Sequence, residues 1–123
     1  MRYELNILEA TPSLNRTQRR HWTHGYRLKK RWNKLVWVAK HLAIAGESTP
    51  LPRARVTVTR FAPHPIKDRD NRYGGAKACV DALVANRLIV DDSEEHIDLR
   101  VVDGKWLKGE LPRTHVLIEA LTA

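Results

Sequence analysis

Two pairs of aspartates are the residues of this sequence best suited to chemistry. Asp68 and Asp70 lie within Lys67-Asp68-Arg69-Asp70-Asn71, and the second pair, Asp91 and Asp92, follows a short helical segment. Carboxylate oxygens are hard ligands that suit Mg²⁺ or Mn²⁺, and in proteins these ions usually hold phosphate groups as well. The pattern therefore predicts that these four aspartates bind Mg²⁺, with Mn²⁺ able to substitute, and that the site acts on a phosphodiester.

The spacing within the first pair predicts that its two carboxylates act together. We expect residues 67–71 to be extended or to open a loop, and in extended backbone Asp68 and Asp70 project to the same side. Two carboxylates held so close repel each other unless a cation neutralises them. A D-x-D motif alone is a weak signal, but a second acidic pair brought beside it makes a metal site much more specific.

The segment between the two pairs contributes a lysine. Apolar residues at helical spacing predict a helix over residues 76–86, with Lys77 in its first turn. A positive charge there opposes the helix dipole, which fits a residue placed for function, although a solvent-facing lysine is the alternative. The apolar run 88–90 then leads into Asp91 and Asp92 and should return them beside the first pair.

Charge is distributed unevenly along the chain. Residues 1–67 contain 14 Lys and Arg against 3 Asp and Glu, whereas residues 68–123 contain 8 against 11. A basic surface joined to an acidic pocket suits an enzyme that binds a polyanion and a metal. The alternative is that the charge only maintains solubility.

Basic residues near these motifs are the candidates for DNA binding. Arg16, Arg19 and Arg20 surround Trp22 in a segment that we expect to form a loop over the active face, where basic and aromatic side chains suit phosphates and bases. An ordinary solvated loop whose tryptophan packs into the core is an equal alternative. The remaining candidates flank the first acidic pair: Lys67, Arg69 and Arg72.

Composition limits the class of protein. A chain of 123 residues, 42% hydrophobic and 29% charged, suits one globular domain spanning residues 1–123. The apolar runs are too short to cross a bilayer, and no charged-then-apolar leader begins the sequence. The single cysteine, Cys79, provides neither an internal disulfide nor a thiolate metal site. We therefore expect a cytoplasmic protein without a membrane partner, and the absence of a Gly-rich phosphate loop predicts no small-molecule cofactor.

Hydrophobic periodicity predicts an α+β domain with a mixed sheet of about four strands and two helices packed on it. Strands are predicted over residues 1–9, 53–62, 96–103 and 113–121, and helices over 26–45 and 76–86. Gly46 is expected to end the first helix in a left-handed conformation. Residues 73–75 are expected to form a flexible loop, and residues 104–112 to join the last two strands as a hairpin.

With these residues in view, the chain resembles the RusA family of Holliday-junction resolvases, small endonucleases common in prophages. The match centres on residues 67–92, and the family order of elements continues over nearly the whole chain. The matching segments are Asp68-Arg69-Asp70-Asn71, Lys77 with Asp81-Ala82-Leu83, Leu88-Ile89-Val90-Asp91-Asp92, and the turn Thr11-Pro12-Ser13-Leu14-Asn15-Arg16. The interval before Lys77 is longer than in the shortest family members because of residues 72–75.

The resemblance implies a function and its residues. Asp68, Asp70 and Asp92 would be catalytic and bind Mg²⁺, with Asp91 beside them and Lys77 assisting. The expected reaction is the resolution of four-way DNA junctions by paired symmetric nicks that leave 5′-phosphate and 3′-hydroxyl ends, in DNA recombination and repair. The resemblance also implies a homodimer, with one active site for each of two opposed strands.

Two other functions stay open from the sequence. One is a non-catalytic nucleic-acid-binding module in which the carboxylates are surface residues or a structural ion site. The other is a metal-dependent nuclease on the same scaffold that acts on flaps, forks, RNA or other branched DNA. The complete set of D-x-D, lysine and D-D argues against the first function and does not exclude the second.

Overall fold

The computed structural model describes residues 1–15 and 22–121, which form four strands and three helices. The elements are β1 (Arg2–Ile7), α1 (Trp22–Ala43), β2 (Ala54–Phe61), α2 (Arg69–Gly75), α3 (Lys77–Ala85), β3 (Ile97–Asp103) and β4 (Arg113–Ala120). The two predicted helices correspond to α1 and α3. The α+β prediction is confirmed, and α2 is an additional short helix.

The strands form one mixed sheet in the order β1-β4-β2-β3. Strand β4 is antiparallel to both of its neighbours, β1 and β2, whereas β2 and β3 are parallel. A parallel pair requires a crossover connection, which usually contains a helix. Here α2 and α3 lie in that crossover, so the segment with the acidic pairs joins two adjacent strands.

The predicted hairpin between the last two strands is wrong, because β2 lies between β3 and β4. The inward side chains of β4, Thr114, Val116 and Ile118, are all completely buried. A strand buried in this way suits the interior of a sheet, whereas β3 exposes Asp98 and Arg100 and forms an edge. Sequence adjacency favoured a hairpin, but β4 pairs with both β1 and β2, and this interior position buries its apolar side chains.

The hydrophobic core lies between one face of the sheet and the helices. Helix α1 packs against β1 and α3, with Trp32 and Val36 completely buried. Leu42 is 83% exposed, so the buried face of α1 is shorter than its sequence pattern predicts. Gly46 has a φ of +81°, as predicted, but lies beyond the last residue of the helix. No helix in the described ranges is both long enough and apolar enough to cross a lipid bilayer.

Residues 73–75 form the end of α2 and not the predicted flexible loop. Gly75 is buried against the turn that follows β1, where a Cβ atom would lie 1.6 Å from the carbonyl oxygen of Pro12. A Cβ atom on Gly74 would lie 2.6 Å from a methyl carbon of Leu14. The two glycines therefore permit close packing of a helix against a turn.

Replacing Gly75 with alanine should destabilise the protein, because the added methyl group meets backbone that cannot rotate away. Overpacking usually costs ~1–3 kcal/mol, and we expect a loss at or above that range in chemical denaturation. Gly25→Ala is the matched control, since a Cβ atom there meets no described atom within 4 Å beyond the adjacent backbone of its own helix. The control should gain up to ~1 kcal/mol from helix propensity. Equal stabilities for the two variants would contradict the close contact.

The thiol of Cys79 should be unreactive in the folded protein. Complete burial raises its pKa from 9.0 to about 12, so the thiolate is not populated at neutral pH. A disulfide reagent at pH 8 should react only after unfolding. The folded pKa is the higher one, so the free energy of unfolding should also decrease as the pH rises from about 9 towards 12. This additional decrease should be absent in Cys79→Ala. Rapid labelling of the thiol in the native protein would contradict its burial.

Candidate active site

Asp68 and Asp70 lie at the N-terminal end of α2. The Asp68 backbone is extended, with φ −72° and ψ 119°, and its Oδ1 accepts a hydrogen bond of 3.1 Å from the Asn71 N–H. Asp68 is therefore the N-cap of α2, a position where aspartate is strongly preferred. Asp70 lies in the first turn, where a negative charge complements the helix dipole.

The prediction that Asp68 and Asp70 project together from extended backbone is wrong. Helix α2 begins at Arg69, so Asp70 is helical while its N-cap Asp68 is extended, and the strand-like alternation that would place both carboxylates on one side is absent. The capping hydrogen bond of Asp68 favours the helix over the extended conformation. Both carboxylates are exposed at the surface, but the backbone itself does not pair them.

The approach to α2 is held by side chains at the ends of β2 and β3. The Oδ2 of Asp103 accepts a hydrogen bond of 3.0 Å from the Ile66 N–H, and Asp103 also forms a 3.5 Å ion pair with Arg60. The Arg72 guanidinium donates to the carbonyls of Val101 at 2.6 Å and Ile66 at 3.0 Å. Arg72, a candidate for DNA binding, thus has a structural role in holding this segment.

Lys77 and Asp92 are brought together as the order of elements predicts. Lys77 is in the first turn of α3, and its Nζ lies 3.9 Å from Oδ2 of Asp92. The apolar segment before Asp92 is fixed because buried Ile89 pairs with Leu51 in an isolated parallel bridge. The lysine side chain is 71% exposed, so its ammonium is available to a ligand.

Asp81 is a second partner of Lys77 that the functional prediction omitted. Its Oδ1 lies 3.6 Å from the Lys77 Nζ, one helical turn along α3, and its side chain is only 26% exposed. The signal was present in the sequence, because a lysine and an aspartate four residues apart share one helix face. Lys77 is therefore positioned between Asp81 and Asp92.

Asp91 is stabilised as a carboxylate by its own turn. Its pKa is lowered, chiefly because it accepts a hydrogen bond from the Asp92 backbone N–H, and further because the Ser93 side chain donates to it. Nearby His96 lowers the pKa of Asp91 as well. Asp91 is thus an exposed, ionised oxygen donor whose orientation is set by residues 91–93.

Arg69 connects the two acidic segments. Its guanidinium lies over the Tyr73 ring, 4.4 Å from the centroid, at a distance typical of a cation–π contact. Arg69 and Tyr73 line a surface cavity of about 500 Å³ together with Asp92. Since Arg69 stands between Asp68 and Asp70 in the sequence, Asp92 of the second acidic pair lies on the same part of the surface as the first turn of α2.

The donor types fit Mg²⁺, but the described side chains do not converge on one point. Asp70, Asp91 and Asp92 are exposed carboxylates, and Asp68 has a second oxygen beyond the one that caps α2. Within residues 1–15 and 22–121, no three His, Cys, Asp or Glu side chains are arranged to hold a metal ion. Magnesium binding by these aspartates stays a prediction.

The structure describes only some of the remaining candidates for DNA binding. Arg16, Arg19 and Arg20 lie outside the described residues. Lys67 and Arg69 are exposed beside Asp68 and stay candidates for DNA binding.

Comparison with models of known protein families gives no match, and no curated protein matches the sequence. The resemblance to the RusA family therefore rests on the motifs of residues 67–92 and on the turn after β1.

Two substitutions at Asp68 should separate its capping role from its charge. Asp68→Ala should lower the free energy of unfolding by ~0.5–2 kcal/mol, because the Asn71 N–H loses its acceptor. Asp68→Asn should change stability by less than ~0.5 kcal/mol, since asparagine caps helices about as well as aspartate. Chemical denaturation in metal-free buffer provides the comparison, and equal losses for both variants would argue against the cap.

Proposed function

We propose that this protein is a Mg²⁺-dependent, structure-selective endodeoxyribonuclease that resolves four-way DNA junctions. Paired symmetric nicks would leave 5′-phosphate and 3′-hydroxyl ends. The observation that carries the proposal is the position of the Lys77 ammonium 3.9 Å from Asp92, which lines one surface cavity together with Arg69, the residue between Asp68 and Asp70. The resemblance to the RusA family and the basic N-terminal half give further support.

Metal binding is assigned to Asp68, Asp70 and Asp92, with Asp91 beside them. When bound, Mg²⁺ would offset the negative charge of the phosphodiester and lower the pKa of a water molecule. The turn at Asp91 fixes the orientation of this carboxylate, because the Asp92 backbone N–H and the Ser93 side chain donate hydrogen bonds to it and lower its pKa. The reaction adds water to phosphorus and breaks the bond to the 3′-oxygen, which takes up a proton.

Lys77 would stabilise the scissile phosphate. A positive charge at a fixed position lowers the energy of the transition state, in which negative charge accumulates on the phosphate oxygens. Asp81 and Asp92 limit where the ammonium can lie, so its position does not depend on the substrate alone. A homodimer would supply a second copy of the site for the opposite strand, and junction shape would determine selectivity through backbone contacts.

A non-catalytic nucleic-acid-binding module is the second candidate, and one observation favours it. Asp68 caps α2, Asp91 accepts hydrogen bonds within its own turn and Arg72 holds backbone carbonyls, so several motif residues already have structural roles. This function predicts junction binding without cleavage in either Mg²⁺ or Mn²⁺.

The decisive experiment is nicking of a synthetic four-way junction by wild type and Asp70→Asn, with Mg²⁺, with Mn²⁺ and with chelator. Changes around a metal site cost ~10–100-fold even when the ligands stay, so the loss of a ligand should cost more than ~100-fold. Junction binding should survive, because the substitution removes negative charge. Glu47→Gln, an exposed change just after α1, is the matched control for charge.

The outcomes distinguish the candidate functions. Symmetric Mg²⁺-dependent nicks that disappear in Asp70→Asn support the resolvase. Tight binding without cleavage supports the binding module. Cleavage of flaps, forks or linear duplex as efficient as that of four-way junctions supports a nuclease without selectivity for junctions.

A further inference from the structure

A groove of about 270 Å³ lies between α1 and the junction of α2 with α3. Its walls include Gly25, Leu28 and Lys29 of α1 on one side and Gly74, Lys77 and Asp81 on the other. Lys77 and Asp81 also belong to the candidate active site, so the groove is continuous with that site.

Gly25 is the unusual residue of this groove. Glycine is the least favourable residue inside a helix after proline, so its presence there calls for a reason in packing or in function. Gly74 and Gly75 have such a reason in Leu14 and Pro12, but a Cβ atom on Gly25 would meet no described atom within 4 Å beyond the adjacent backbone of its own helix. The packing of the described chain therefore does not explain Gly25, and its bare backbone forms part of the groove wall.

The charge of the residues around the groove indicates which type of ligand it binds. Helix α1 contains no Asp or Glu between residues 22 and 43, and Lys29 adds a positive charge to the wall. The one acidic side chain on the described wall, Asp81, already forms an ion pair with Lys77 at 3.6 Å. A negatively charged backbone fits this surface better than an acidic side chain or a neutral peptide would.

We infer that this groove binds one strand of the DNA substrate, with Lys29 contacting a phosphate and Gly25 leaving room for the sugar–phosphate backbone. The inference rests on the proposed function and specifies the path by which the strand reaches Lys77. A glycine at a site of close backbone approach and a lysine that binds phosphate are a chemically consistent pair.

The test measures binding of a labelled four-way junction by fluorescence anisotropy in chelator, so that cleavage does not contribute. Lys29→Gln and Lys30→Gln remove the same charge from adjacent positions, but only Lys29 lines the groove. Lys29→Gln should weaken binding roughly tenfold and reduce the salt dependence by about one phosphate contact. Lys30→Gln should weaken binding no more than about twofold, as expected for long-range charge alone.

Gly25→Ala tests the close approach separately. The thermal midpoint should rise, because alanine favours the helix, while junction affinity should fall at least about threefold because the methyl group occupies the wall. A loss of affinity in a variant that is more stable than the wild type cannot result from misfolding. The inference requires both results, from Lys29→Gln and from Gly25→Ala.

Either of two results would contradict the binding of a DNA strand in this groove and leave the proposed function intact. One is an equal loss of junction affinity in Lys29→Gln and Lys30→Gln, and the other is an unchanged affinity in Gly25→Ala. In both cases the wild type still binds the junction. A wild type that binds no DNA would instead overturn the proposed function, and the groove assignment with it.

Discussion

The contact between Gly75 and Pro12 determines where the candidate site lies. The turn after β1 is fixed to the sheet because buried Thr114 accepts a hydrogen bond from the Thr11 N–H and donates one to the Glu9 carbonyl. The absence of a side chain at Gly75 then lets the α2–α3 junction pack directly on that turn. The start of α3, and with it Lys77, is therefore positioned by the sheet and not by a surface loop.

The positions of the charged groups in the candidate site follow from the packing of the α2–α3 junction on the turn. Three of the charged groups have partners that limit their positions: the Asn71 N–H for Asp68, residues 92 and 93 for Asp91, and two carboxylates for Lys77. The ion pairs of Lys77 are exposed and contribute little to stability, so they orient the lysine more than they hold the fold together. A phosphate or a cation would therefore meet groups already confined to one region of the surface.

The sequence predicts the parts of the structure that local patterns control. Alternation in β2 and β4 and the apolar face of α3 follow from burial on a single side, and the Lys77–Asp92 approach follows from the order of elements. Long-range contacts explain the errors. A Gly-Gly pair suggested a loop because its packing against Pro12 is not visible locally, and the strand order depends on partners far apart in the sequence. Asp81 was missed because the prediction weighed acidic pairs and not the partners of the lysine.

The interior position of β4 has a consequence for biosynthesis. Strand β1 pairs only with β4 in the sheet, and β4 also pairs with β2. A nascent chain that has emerged only as far as β3 therefore has no sheet partner for β1, and the turn held by Thr114 has no anchor. Long-range pairings of this kind form late because the intervening chain must first be ordered. A chain that lacks Arg113–Ala120 would therefore lack the partner strand of β1 and the anchor of the turn on which the α2–α3 junction packs.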